Sequence, residues 1–380
     1  MIRVFNACKY PLGILLAVFG SASAQDYGAP RGDVPAAIVD PGTKVLAVLT
    51  KNPVTGQALG LCDGPAVDAE GNLFFSEPAA GNIYEVDAQG KASVFYSGPG
   101  GNPRGMEFDP QGRLLVCTQG SLLRFNRDGS KETFAASGNG IDFKDLQDLT
   151  IGSNGAVYAT DYKSGGLIFS ISPDGKTVKA IPGVASPTGV EWLEEKRILY
   201  VSDYDAHTTW QFDVAADGSL ANKRSYVPDI PGAFGLAMDE KEDVYIAGYA
   251  QGAVHIYSPG KKDPFLGHID VKGSANATGN NSNLAFGGTD GKTLFMTGNG
   301  GCFKIQLKIP GRKRPAATAV LFRGPLGGAH AFARGFSAPD LPGVPWTGLD
   351  RDLAGRVVSG RWISHRHGRW EHLSSSHGGP

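Results

Sequence analysis

Self-similarity constrains this chain more than any other feature. Six segments share one pattern: an opening residue, usually followed by a small one, then apolar alternation, a Gly- or Asp-containing turn, and a second apolar strand. They read DGPAVDAEGNLFFSE from Asp63, RGMEFDPQGRLLVCT from Arg104 and QDLTIGSNGAVYATD from Gln147. TGVEWLEEKRILYVSD from Thr188, FGLAMDEKEDVYIAG from Phe234 and NLAFGGTDGKTLFMTG from Asn283 complete the set. Their starts are 41, 43, 41, 46 and 49 residues apart. Each repeat runs on into a third strand and another turn, as in GNIYEVDAQGKASVF and GLIFSISPDGKTVKAI. The Asp-Gly and Gln-Gly pairs suit two-residue hairpin turns, which need positive φ. Strands of four to six residues at this spacing give about four strands per period, the signature of a propeller blade. A four-stranded sheet cannot bury both faces alone, so blades pack radially around an axis. The spacing therefore predicts an all-β, six-bladed propeller with four-stranded blades over residues 59–310.

The repeats also predict geometry. The residue opening each repeat sits where the chain enters the innermost strand. Asp63, Arg104, Gln147, Thr188, Phe234 and Asn283 are thus equivalent, and they form a ring at one mouth of the central channel. Such a ring either receives a ligand or plugs the axis by packing; spacing alone leaves both readings open.

The flanks read differently. Arg3 and Lys9 bracket PLGILLAVFG, and Ala22-Ser23-Ala24 follows, so residues 1–24 have the form of a secretory signal peptide too short to span a bilayer. The mature chain is then expected to be secreted or periplasmic, off the membrane and monomeric. Residues 25–58 form an N-terminal segment whose apolar run, KVLAVLT, could supply an outer strand to the last blade. Residues 311–380 lack propeller periodicity and read as an irregular or disordered extension. Within it, SHRHGRWEH brings His365, His367 and His372 close in sequence, a weak metal patch against the bland reading of disorder. A net charge of −1 argues against a nucleic-acid partner. Cys8 leaves with the leader; Cys62, Cys117 and Cys302 form either one disulfide with a free thiol or three buried thiols.

Several stretches resemble the senescence marker protein / gluconolactonase / luciferin-regenerating enzyme family of six-bladed propellers. They are DGPAVDAEGNLFFSE, LQDLTIGSNGAVYATD, SPTGVEWLEEKRILYVSD and the most specific, SNLAFGGTDGKTLFMTGNGG, one per blade in order. The likeness spans Leu59 to Pro310. It implies hydrolysis of a lactone or related ester with one divalent metal, usually calcium, at the channel mouth. The implied metal positions fall on Asp63, Gln147, Thr188 and Phe234. Asp63 keeps a carboxylate, Gln147 an amide oxygen on a longer arm and Thr188 a hydroxyl, so these three are the expected ligands; Phe234 offers no donor. Arg104 or Asn283 would contact the substrate carbonyl, making Asp63, Arg104 and Asn283 the expected catalytic set.

Calcium takes six to eight oxygens and usually more than one negative charge. The ring supplies one carboxylate and neutral oxygens from Gln147, Thr188 and Asn283. Strand alternation points Asp148 away from the ring, and an Arg104–Asp63 pair would fill the place of a cation. The ring holds no His, Cys or Lys, and the chain has no Gly-x-Ser-x-Gly or His-Glu-x-x-His motif. His207 and His255 read as ordinary sheet residues and His268 as a loop residue, while Asp161 and Asp203 read as turn formers. Two functions follow: a metal-dependent hydrolase of a sugar lactone or related ester, or a ligand-binding or interaction propeller that has lost its metal site.

Overall fold

Six four-stranded antiparallel sheets follow one another along the chain, as the repeat spacing predicts. The computed structural model describes residues 33–98, 101–163, 165–261, 264–271, 277 and 279–313, with further backbone strands between 321 and 373. The leader expected at 1–24 lies outside the described residues. The innermost strands are those that open the repeats: Asp63–Val67, Met106–Phe108, Leu146–Ile151, Pro187–Leu193, Ala233–Met238 and Asn281–Gly287. Each touches its two neighbours, so the six close into a ring around a central channel.

Five blades take all four strands from one continuous run. The sixth does not. Its outer strand is Leu46–Leu49, lying antiparallel to Gly301–Gln306 with Ala47 opposite Phe303. The KVLAVLT run therefore closes the propeller, and the partly buried Val48 and Leu49 pack against Phe75, Phe295 and Cys302.

Between blades the sheets bury apolar faces against one another. Phe74 and Ile83 of the first blade meet Met106, Leu114, Val116 and Phe125 of the second. Tyr158 of the third stands edge-on to Trp192 of the fourth at 5.1 Å. Nearer the axis the joints become polar. Ser76 Oγ lies 3.1 Å from the Asp63 carbonyl and 3.3 Å from that of Arg104, tying blade one to blade two. Gly105 N–H donates to the Gln147 carbonyl at 2.9 Å. Thr160 Oγ1 donates to the Thr188 carbonyl, Thr188 Oγ1 to that of Ala233 at 2.8 Å, and Ser282 Oγ to that of Cys62 at 2.6 Å. These hydroxyls satisfy carbonyls that the converging inner strands cannot pair with each other.

Such convergence leaves little room for side chains. A Cβ on Gly64 would fall 2.3 Å from the Arg104 carbonyl oxygen, and one on Gly235 would fall 2.1 Å from Asn283 Oδ1. Gly64 also has φ of +53°, which side chains disfavour.

The chain forms two compact units, Met1–Thr318 and Ala319–Pro380. The second, by itself, contains a two-stranded hairpin, Leu321–Arg323 with Ala329–Ala331. It also contains a three-stranded antiparallel sheet of Trp346–Arg351, Val357–Ser364 and Trp370–Leu373. Among the described residues no helix is long and apolar enough to cross a membrane.

Because one strand closes the ring, a chain shortened to begin at Lys51 leaves the last blade three-stranded with Phe295 and Cys302 uncovered. It is expected to melt about 10 °C or more below the full chain, as thermal unfolding by circular dichroism would show.

Candidate functional site

All six residues that open the repeats are buried, Asp63 most completely with Thr188 at 1% exposure. Asp63 Oδ1 accepts the Gly64 N–H at 2.8 Å. Its Oδ2 is buried and makes no hydrogen bond among the described residues. Burial pushes this carboxyl up to about 6, opposed first by the Arg104 guanidinium, then by the Gly64 N–H and the Asn283 amide.

Asp148 belongs to the same cluster, contrary to the expectation from alternation. The inner strand of blade three carries a bulge between Leu146 and Leu149, so Gln147 and Asp148 are not on opposite faces of a regular strand. Asp148 lines an axial cavity of about 230 Å³ together with Asn283. Burial, and next the charge of Asp63, push its carboxyl well above the usual range, while the Leu149 N–H and the Asn283 amide hold it down. The Asp63 charge thus opposes ionisation of Asp148, and the Asn283 amide serves both carboxyls.

Arg104 does not form the ion pair with Asp63 that would have filled the place of a cation; its partner is Asp145. Its Nε donates to Asp145 Oδ1 at 3.3 Å, with both side chains almost wholly buried. The other oxygen of Asp145 takes Lys163 Nζ at 3.0 Å. The loop that presents Asp145 is clamped by Asp161, whose oxygens accept the N–H groups of Lys144 at 2.7 Å and Asp145 at 3.2 Å. Asp203 plays the same part in blade four, accepting from Ala185, Ser186 and the Trp210 indole. Both are loop anchors, in keeping with their reading as turn residues.

The other ring positions have different tasks. Gln147 Nε2 donates to the Asp145 carbonyl at 3.2 Å and so braces the same loop. Thr188 commits its proton to the Ala233 carbonyl. Phe234 stacks on Tyr249 with centroids 5.5 Å apart and meets Tyr204 edge-on, forming an aromatic cluster beside the ring. The Tyr249 phenol is pushed up by burial, held down by the Asn280 side chain, and feels the charges of both Asp63 and Arg104.

Elsewhere, Cys62, Cys117 and Cys302 are all buried and free. His268 sits in the outer strand Phe265–Asp270 opposite His255, rather than in a loop. Sequence reasoning missed Asp145, Lys163 and Tyr249, which lie in the segments between repeated strands. The one available signal was the acid-rich DFKDLQD around Asp145.

The calcium set implied by resemblance does not fit these residues. Asp63 Oδ2 makes no hydrogen bond among the described residues, but Phe234 has no donor, Thr188 is tied into a blade joint, and a guanidinium stands close by. Among the described residues no three His, Cys, Asp or Glu side chains gather as a metal-ligand group. Asp63 and Asp148 beside an arginine still fall far short of six to eight oxygens.

Comparison with known proteins gives one consistent result. The profile of the SMP-30/gluconolactonase/LRE-like region matches residues 61–299. A protein named lactonase drp35, from Staphylococcus saprophyticus, is 26% identical over 238 residues, covering 58% of this chain and 72% of the relative. A gluconolactonase structure from Xanthomonas campestris superposes with a TM-score of 0.61 at 21% identity, covering 73% of this chain and 96% of that one. Regucalcin, a calcium-binding protein from Agrobacterium tumefaciens, superposes with a TM-score of 0.59 at 17% identity, covering 72% and 96%. At these identities the solved structures speak for the fold alone.

The buried Asp63 makes stability depend on pH. Its folded-state pKa, about 6, lies above the ordinary 3.8, so the folded protein holds this proton more tightly than the unfolded chain. The stabilisation is fully present below about pH 4 and is lost as pH rises through about 6. Asp63→Asn mimics the protonated form. Relative to the wild type it is expected to gain on the order of 2–3 kcal/mol between about pH 4.5 and pH 8, read as a difference in melting temperatures.

Proposed function

Because the chain belongs to the SMP-30/gluconolactonase/LRE-like family, we propose that it is an exported lactonase-type hydrolase that opens a sugar lactone or related small ester at the channel mouth. The observation that carries this reading is Asp63, a buried carboxylate with one oxygen that makes no hydrogen bond among the described residues. A carboxyl raised to about 6 is a serviceable base near neutral pH, because it is ionised there and still has appreciable proton affinity.

The chemistry balances with this chain's own groups. Asp63 takes a proton from water, whose oxygen forms a bond to the lactone carbonyl carbon. On collapse the ring C–O bond breaks, and the Asp63 carboxyl returns its proton to the departing ring oxygen. One water is consumed and a hydroxy acid is released. The amide of Asn283, held at Oδ1 by the Leu284 N–H at 2.8 Å, keeps the carboxylate in register. The half-buried faces of Tyr204 and Tyr249, backed by Phe234, provide an apolar surface for the C–H face of a sugar ring. The expected leader at 1–24 would deliver such a protein outside the cytoplasm.

A second reading is favoured by Thr188 and Phe234, which replace oxygen donors with a joint and a packing residue. On it the mouth binds a small polar ligand and performs no chemistry.

Lactone opening releases acid, so turnover of aldonolactones can be followed with a pH indicator. The hydrolase reading expects activity with kcat/KM reduced about 100-fold or more in Asp63→Asn. Saturable lactone binding without acid release would overturn it in favour of the binding propeller.

A further inference from the structure

A divalent cation in a site of this kind has two duties: it neutralises converging carboxylates, and it polarises the substrate carbonyl. Both duties have another holder here. Asp63, Asp145 and Asp148 bring three carboxylates into the cluster, and Arg104 and Lys163 bring two positive charges. A divalent ion at Asp63 would leave the cluster with an excess of positive charge, and would sit in the repulsive field of Arg104.

The guanidinium is also a built part of the mouth. Its Nε is fixed on Asp145, Asp145 is held in turn by Lys163, and the loop beneath is clamped by Asp161 and Gln147. Among the described residues, Arg104 makes this one ion pair. Its two terminal amino groups remain to donate as a planar fork, the arrangement suited to a carbonyl oxygen acquiring negative charge. Phe234 completes the picture: where a carboxylate would draw in a cation, the chain places an aromatic ring packed on Tyr249.

We propose that the Arg104 guanidinium takes the place of the divalent cation at this mouth, so that the site works without a metal. Its catalytic part rests on the hydrolase reading above; its binding part does not. In catalysis the water oxygen bonds to the carbonyl carbon, the carbonyl π pair moves onto oxygen, and the Arg104 amino groups hold that oxyanion until the ring C–O bond breaks.

Calcium titrated calorimetrically into the wild-type protein is expected to give no saturable heat up to about millimolar concentration. Neither calcium nor EDTA should shift its melting temperature, and lactone turnover should survive EDTA. The double variant Arg104→Ser/Phe234→Asp removes the guanidinium and supplies a second ring carboxylate; it should bind calcium at least about tenfold more tightly than the wild type. Arg104→Lys preserves the charge, should remain blind to calcium, and controls for folding. Stoichiometric calcium bound by the wild type with micromolar affinity would overturn the proposal, as would turnover abolished by EDTA and restored by calcium. If no lactone is turned over at all, the hydrolase reading fails, while the calcium titration still decides whether arginine has replaced the metal.

Discussion

Six strands converging on one axis leave room for little except backbone. That crowding governs the rest of the molecule. It demands glycine at Gly64 and Gly235, where any Cβ would strike the next blade. It leaves inner carbonyls that no ladder can satisfy, so hydroxyls on Ser76, Thr160, Thr188 and Ser282 stitch one blade to the next. It also takes the few side chains that reach the axis out of water, which gives Asp63 and Asp148 their perturbed protonation. Packing and electrostatics at the mouth have a single origin.

Much of this was written in periodic features of the sequence. The repeats located all six blades, because alternation and turn chemistry are local and recur at a fixed interval. KVLAVLT was recognisable as a closing strand because it was the one apolar run in a segment otherwise rich in Pro and Gly. The repeat frame also identified Asp63, Arg104 and Asn283, which the fold does bring together.

What escaped was whatever breaks the period. Asp148 was assigned to the wrong side because a bulge adds a residue to its strand, and strand alternation is blind to such an insertion. The partner of Arg104, Asp145, lies outside the repeat frame, in a connecting loop whose N–H groups donate to Asp161. Lys163 and Tyr249 come from other connections whose positions depend on the closed ring. Family likeness supplied a metal site; the residues at Thr188 and Phe234 give the mouth a different balance of charge. The scaffold keeps the family's six-bladed form, while Thr188 and Phe234 are taken up by a blade joint and by aromatic packing.

The way the last blade is completed imposes an order of events on the molecule's assembly. Leu46–Leu49 emerges before any of the sheets, yet its partner Gly301–Gln306 is synthesised about 250 residues later. Until then the strand has an unpaired edge and the six blades form an open arc whose ends have not met. The circle is sealed by the longest-range pairing in the propeller, so its folding is expected to be slow and to finish only after nearly the whole domain has left the ribosome. A clasp that joins the two ends of the domain cannot fasten until the last blade exists to receive it.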